Sequence, residues 1–275
     1  MSKKLIFVDI DGTLTEAGSN VPPESALTAI RNAQAKGHKV FLCTGRNLDM
    51  LSPLLKYGFD GIVGSAGGYV QCEDEVIYDH PMTAEQRDIA LELLHKNGVF
   101  CTIEAKDGSY GDDDLSNLLD EMEDEGNSEI QRWRKALAED LNIVSMDQYD
   151  GRPIYKVVVM CKAMEQLDEA RAALEDQFLF CMQEVKEHAC INGELINRAF
   201  DKGRGVERVC AYYGMTLEDT IGFGDSMNDL EMMEKVGISV AMENGAETIK
   251  KMSTFVTDAV NQDGLAKAFE KLGLS

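Results

Sequence analysis

Four short stretches carry residue types that could do chemistry, and each sits at a strand end or a helix start. The first is Asp9-Ile10-Asp11-Gly12-Thr13. Carboxylates at i and i+2 project to the same side of a strand, and burying like charges together is costly unless a cation lies between them. Mg²⁺, a hard ion that prefers oxygen ligands, is the natural candidate. The plainer reading is a pair of acids at a turn, since Asp-Gly is also a turn signal. The second stretch is Thr44-Gly45-Arg46. A hydroxyl beside backbone amides at a strand-to-helix turn makes an anion-binding nest, although Thr-Gly turns are frequent. The third is Lys202, which opens a helix after Asp201; a lone lysine is usually solvated. The fourth, Gly222-Phe223-Gly224-Asp225-Ser226-Met227-Asn228-Asp229, places two acids and an amide on a Gly-flanked turn after an apolar run. It is the strongest single signal for metal ligation.

The elements that must position these residues follow from the apolar pattern. Residues 4–10, 39–43, 61–64, 220–223 and 238–241 read as buried strands, with a short one at 254–256. Helices are expected over 24–36, after Pro22-Pro23 and before Gly37, and over 48–57, 202–213, 227–235, 246–252 and 265–272. Strands alternating with helices predict parallel pairing in an open sheet. Between about 82 and 187 the rhythm changes: helices at 84–96, 112–133 and 164–177, strands at 99–104, 154–160 and 178–183. The expected fold class is therefore α/β, a Rossmann-like three-layer core with a parallel sheet, interrupted by an inserted α+β domain. The core takes 1–81 and 188–275, the insert 82–187.

The 275 residues include 27 Lys and Arg against 49 Asp and Glu, a formal net charge of −22. Such a field repels nucleic acid and anionic membrane surfaces. Any anion-handling site must then be made locally positive by a metal ion and a few placed cations. No apolar run approaches the ~20 residues of a membrane helix, and the first residues lack the pattern of a secretory signal, so a cytoplasmic protein is expected. The seven cysteines are odd in number and form no Cys-x-x-Cys pair, which fits buried thiols in a reducing compartment. His188 and Cys190 are close in sequence but lack two further ligands for a closed zinc site. The acidic run from Asp112 to Glu129 lacks the calcium-loop spacing and reads as a solvated helix face.

In their order, the four stretches resemble the haloacid dehalogenase (HAD) superfamily of phosphohydrolases, and its Cof-type branch (subfamily IIB) in particular. That branch carries Asp-x-Asp-Gly-Thr, Thr-Gly-Arg, Lys and Gly-Asp-x-x-Asn-Asp; Asp263-Gly264-Leu265-Ala266 is similar to it as well. The resemblance spans the chain and implies that the insert is a C2-type cap. It implies Asp9 as nucleophile and Asp11 as general acid/base. It implies a Mg²⁺ cofactor held by Asp9, the backbone carbonyl of Asp11 and Asp225, supported by Asp229. Thr44, Gly45, Arg46, Lys202 and Asn228 are implied to bind phosphate. The second acid, Asp11, points to a phosphatase or a phosphomutase, since a halide leaving group needs no proton.

The implied activity is hydrolysis of a small phosphorylated metabolite, a sugar phosphate in the first instance, with a monomer or a dimer equally expected. A phosphomutase, or a non-catalytic binding protein on the same scaffold, are the alternatives. One departure stands out: where many Cof-type members have Asn-Gly after the third strand, this chain has Ser65-Ala66-Gly67-Gly68-Tyr69, so no substrate contact is carried over there. Lys106, Tyr110, Arg152, Lys156 and Lys186 are candidate contacts from the insert, each equally readable as a surface or packing residue.

Overall fold

A computed structural model of the chain describes residues 2–113, 143–185 and 190–275, with the side chains of 183–185 and of Cys190 left out. The described residues divide into two compact units. One comprises the described residues of 1–46, 51–79 and 200–275, the other those of 47–50 and 80–199.

The first unit is organised by an eight-stranded sheet. Its strands are β1 (Leu5–Val8), β2 (Lys39–Cys43), β3 (Gly61–Gly64), β4 (Tyr69–Cys72) and β5 (Glu75–Asp79), then β12 (Thr220–Gly224), β13 (Ile238–Met242) and β14 (Phe255–Thr257). The spatial order is β14-β13-β12-β1-β2-β3-β4-β5. The first six are parallel, whereas β4 and β5 run antiparallel as a hairpin. β1, Leu-Ile-Phe-Val, is buried along its whole length, as expected of a strand covered on both faces. Phe7 and Phe41 stack at 5.3 Å between ring centroids, and Val63, Val206, Val209 and Met232 extend the same apolar layer.

This topology positions the chemistry. β12, β1 and β2 are adjacent, and Val8 lies in register with both Phe223 and Leu42. The residues just beyond the carboxyl ends of these three strands are Asp225, Asp9 and Thr44. Ligands of open parallel sheets bind at that edge. Sequence segments more than two hundred residues apart thus meet because their strands are neighbours.

The second unit holds a six-stranded sheet. Its strands are β6 (Phe100–Ala105), β7 (Gly108–Gly111), β8 (Ile143–Ser145), β9 (Ile154–Cys161), β10 (Phe178–Val185) and β11 (Cys190–Asn197), in the order β10-β11-β9-β6-β7-β8. All its pairings are antiparallel except β7 with β8. The helices Ala84–Lys96 and Asp168–Leu174 lay Ala90, Leu94, Ala170 and Leu174 on Cys101, Ile103, Val157 and Val159. The helix at 84–96 begins with a capping box between Thr83 and Gln86, which satisfies two amides its first turn leaves open.

The structure differs from the sequence-based elements in three places. The hairpin β4–β5 was not anticipated, nor were the short strands β7 and β8. The boundary expected after residue 187 also moves: β11 pairs with both β9 and β10, so residues up to Ala199 belong to the second unit. Its sequence, Cys-Ile-Asn-Gly-Glu-Leu-Ile-Asn, carries a central glycine that weakens a strand reading. The acidic stretch beyond residue 113 and the His188 position lie outside the described residues.

Candidate active site

Lys202 is the centre of the cluster at the strand ends. Asp201 caps its helix by accepting the amide of Arg204 at 2.7 Å, which sends the first side chain inward. Lys202 is one of the largest fully buried side chains, at 1% exposure. Its ammonium donates to Asp9 Oδ1 at 2.7 Å, Asp229 Oδ1 at 2.6 Å and Asn228 Oδ1 at 3.0 Å. Three donors meet three acceptors, so this buried cation is fully satisfied.

The acids around it outnumber it. Asp9, Asp225 and Asp229 each offer a carboxylate oxygen, and these lie within 4.8 Å of one another. Burial pushes the Asp9 carboxyl up to about 8, reinforced by the charges of Asp229 and Asp225 against the opposing effect of Lys202. Asp225 rises to about 6, again mainly through burial and then Asp229. Burial opposes the charge on Lys202, but Asp229 and Asp9 outweigh it and raise its pKa well above the ordinary lysine value. A cluster in which burial and neighbouring acids hold the Asp9 carboxyl above neutral pH is short of positive charge.

Each acid has its own supports. Asp225 Oδ1 accepts the Thr13 hydroxyl at 3.0 Å. Asp229 Oδ2 accepts the amides of Asp225 and Ser226 at 3.0 and 3.1 Å. With Lys202 on its other oxygen, Asp229 is committed to holding the turn. Gly12, at φ +89°, packs against the Asp225 carboxylate so closely that any Cβ would collide with it. Asn244 was missed in the sequence: its amide donates to Gly12 O at 2.8 Å, and its Oδ1 accepts Val260 N–H at 3.0 Å. It ties the Asp9–Thr13 loop to the residues after β13. Its only sequence signal is an Asn-Gly pair at the end of a strand, which reads first as a turn.

Asp11 faces elsewhere. Arg46 grips it with two hydrogen bonds, Nε to Oδ2 at 2.8 Å and Nη2 to Oδ1 at 2.6 Å, and Gly18 N–H adds a third at 2.8 Å. Burial works against ionisation of Asp11, but the Arg46 hydrogen bonds and charge prevail and hold its carboxyl below the usual range. Arg46 also donates to Asn20 and to Ser19 O. The residue expected to meet phosphate therefore has its guanidinium on Asp11. Thr44 is buried, and its hydroxyl oxygen accepts Arg46 N–H at 3.1 Å. A Cβ on Gly45 would meet nothing within 4 Å, so its backbone faces open space.

The Ser65–Gly67 turn lies beside Thr44, with Ala66 N–H on Thr44 O at 2.9 Å. Ser65 and Ala66 both take positive φ, 48° and 55°. Asn and Gly adopt that region more easily, so Ser65 and Ala66 hold a backbone shape that would suit the Asn-Gly pair expected there, without its amide.

The whole-chain comparison decides the family. Residues 6–269 match the model of the haloacid dehalogenase-like hydrolases. The chain belongs to that family. Among HAD relatives, YkrA of Bacillus subtilis, whose name assigns it provisionally to the phosphatases, is 29% identical over 275 residues, covering 100% of this chain and 99% of its own. The 5-amino-6-(5-phospho-D-ribitylamino)uracil phosphatase YwtE of the same organism is 28% identical, with 98% of each chain covered. The solved structure of a HAD subclass IIB sugar phosphatase, BT4131, superposes with a TM-score of 0.77 at 24% identity, covering 99% of this chain and 100% of that one. The fold is that of a HAD protein with a cap domain, and the family is one of hydrolases.

The candidates in the second unit are engaged within it. Arg152 pairs with Asp150 at 2.7 Å and Asp107 at 3.0 Å, and its guanidinium carbon lies 5.7 Å from the Tyr110 ring centre. Tyr110 packs edge-on against Tyr149. Lys156 lies between Glu104 and Glu194 at 3.2 and 2.9 Å. The Lys106 carbonyl accepts Leu48 N–H; Lys186 lies outside the described residues. No helix among the described residues is long and apolar enough to cross a membrane.

Proposed function

We propose that this chain is a Mg²⁺-dependent phosphatase that hydrolyses a small phosphorylated metabolite, with sugar phosphates as the first class to test, through an aspartyl-phosphate on Asp9. The observation that carries the reading is the buried Asp9–Lys202–Asp229 network with Asp225 beside it. It is an all-oxygen donor set with more acid than base, which fits a hard divalent cation. Asp9, Asp225 and the Asp11 carbonyl would hold the ion. Asp229 keeps to Lys202 and the turn amides. When bound, the ion supplies positive charge to the phosphoryl oxygens and keeps Asp9 ionised at neutral pH.

The chain's own residues then do the following. Lys202 holds Asp9 Oδ1 and lowers the repulsion between a carboxylate and an anionic phosphate. An oxygen of Asp9 attacks phosphorus in line, the new P–O bond forms and the ester P–O bond breaks. Asp11, protonated from solvent once free of Arg46, gives that proton to the leaving alkoxide, then takes one from the water that attacks the phospho-enzyme; the Asp9–phosphate bond breaks, Asp9 is again a carboxylate and Asp11 again carries its proton. Arg46 sets the orientation of Asp11 and lowers its pKa, so Asp11 must part from Arg46 to carry a proton. Thr44 and the Gly45 amide hold the phosphoryl oxygens that do not transfer, and Asn228 fixes Lys202.

The test is release of inorganic phosphate from a panel of sugar phosphates, nucleotides and phosphorylated cofactors, with and without EDTA. Turnover that stops in EDTA and returns with Mg²⁺ is expected. Equal rates in EDTA would remove the metal from the reading, and interconversion of phosphate esters without free phosphate would point to a mutase.

A further inference from the structure

Away from the acidic cluster, the second unit brings together three side chains of a different chemical kind. His95 lies in the last turn of the Ala84–Lys96 helix, Cys101 in β6, and Asp112 one residue beyond β7. Their ring nitrogen, thiol sulfur and carboxylate oxygen lie within 4.8 Å of one another. The convergence follows from the local fold. The helix ends at Asn97, Gly98 turns with φ 68°, and β6 starts at Phe100. The antiparallel β7 returns along it, with Thr102 opposite Gly111. The Asp112 amide donates to Cys101 O at 3.0 Å, and Cys101 N–H donates to Asp112 Oδ2 at 2.7 Å. The carboxylate is therefore fixed by the sheet edge, and His95 Nε2 meets the same Oδ2 at 3.0 Å.

The geometry points to a second metal site here, in which His95 Nε2, Cys101 Sγ and the Asp112 carboxylate take a thiophilic divalent ion of the zinc class. The donor set selects the ion: a nitrogen and a sulfur suit zinc or cobalt, whereas magnesium prefers oxygen alone. Three protein ligands leave one position of a tetrahedron for water. That position has room, because His95 and Asp112 line a pocket of about 480 Å³ whose wall also carries Asp113 and Asp147, two further negative charges that favour a cation. The ion would stand where the His95–Asp112 hydrogen bond now is, with the imidazole neutral and its other nitrogen protonated. Cys101 is buried, and burial together with the Asp112 charge keeps its thiol protonated well above the ordinary cysteine range. Binding must then release the thiol proton to solvent, so affinity rises with pH.

The competing reading is a surface His–Asp pair above a core cysteine. Full-length protein titrated with Co²⁺ in excess Mg²⁺ separates the two. The site predicts a near-ultraviolet thiolate-to-cobalt charge-transfer band that saturates at one equivalent and is displaced by Zn²⁺. Asp9→Asn should leave that band in place, because the site is independent of the acidic cluster. His95→Ala removes a half-exposed ligand and should weaken Co²⁺ binding by about tenfold or more, with phosphate release under saturating Mg²⁺ unchanged. Cys101→Ser should abolish the band. Absence of a thiolate band at excess Co²⁺ overturns the site. So does a band that survives His95→Ala at full affinity, since the sulfur would then belong to another cysteine such as the exposed Cys181.

Discussion

Each unit of this protein holds a lysine between two carboxylates, and the two triads have different consequences. In the first, Lys202 holds Asp9 and Asp229, whose side chains are 5% and 0% exposed. In the second, Lys156 lies between Glu104 and Glu194, 10% and 40% exposed. Burial opposes the charge on both lysines, and their acids raise both nonetheless. What differs is the surplus. Glu194 keeps much of its surface in water, so the second triad has one acid that solvent can neutralise. The first has no such outlet and adds a third acid, Asp225, at its edge. Two nearly identical ion triads thus separate into one that is structurally complete and one that needs a further cation.

Asp9→Asn tests the difference most severely. If the first triad is a reacting site, loss of the nucleophilic oxygen should lower turnover by about four orders of magnitude or more. Circular dichroism should show the fold retained, because the amide still accepts from Lys202. Residual turnover within a hundredfold of the parent would break the nucleophile assignment.

Lys202→Met is the next largest effect. It leaves Asp9 and Asp229 buried without their counter-charge, and breaking such a pair from one side costs about 3–5 kcal/mol. Chemical denaturation should show that loss, and phosphate release should fall with it. At pH 9, above the Asp9 value of about 8, a loss below about 1 kcal/mol, the scale of an exposed pair, would mean the triad is not an ionic one.

The surplus charge also predicts how pH and metal act together. Asp9 and Asp225 are raised to about 8 and about 6 from the ordinary value of 3.8. In metal-free protein the folded state therefore keeps protons that the unfolded chain has released. The stability these groups contribute is complete below about pH 4 and declines as pH rises towards 8. A divalent cation replaces those protons, so the gain in melting temperature on adding Mg²⁺ should be greater at pH 8 than at pH 5. Asp225→Asn should shrink that difference. A gain independent of pH would separate the cation from these carboxyls.

Much of this was legible in the sequence because the parallel strands are continuous apolar runs ending at chemically distinctive residues. Leu5–Val8 leads to Asp9, Lys39–Cys43 to Thr44, and Thr220–Gly224 to Asp225. What escaped was set by pairing rather than pattern. β7, Gly-Ser-Tyr-Gly, has no alternation to read and exists because β6 and β8 flank it. The β4–β5 hairpin turns through Glu73, at φ 53°, instead of a glycine or asparagine. Arg46 is implied as a phosphate ligand by the family's Thr-Gly-Arg motif, beside an anion-binding Thr44 hydroxyl and backbone amides. Only the fold shows that the loop carrying Asp11 and Gly18 comes back to meet it. The His95, Cys101 and Asp112 grouping was equally silent, since the three residues share no motif and meet only through the Gly98 turn and the β6–β7 pairing.

The smallest predicted effect sharpens the comparison from the other side. Glu194→Gln removes one acid from the second triad. Lys156 keeps Glu104 at 3.2 Å. The Glu104 carboxyl, raised chiefly by burial and in part by the Glu194 charge, loses one of the influences that disfavour its ionisation. The lost ion pair, already screened by solvent at Glu194, and the relieved repulsion act in opposite directions. Denaturation should therefore register a change within about 1 kcal/mol. A loss as large as that of Lys202→Met would mean that the 40% exposure of Glu194 gives it no outlet in water. The imbalance of charge would then no longer distinguish the site that needs a metal from the triad that does not.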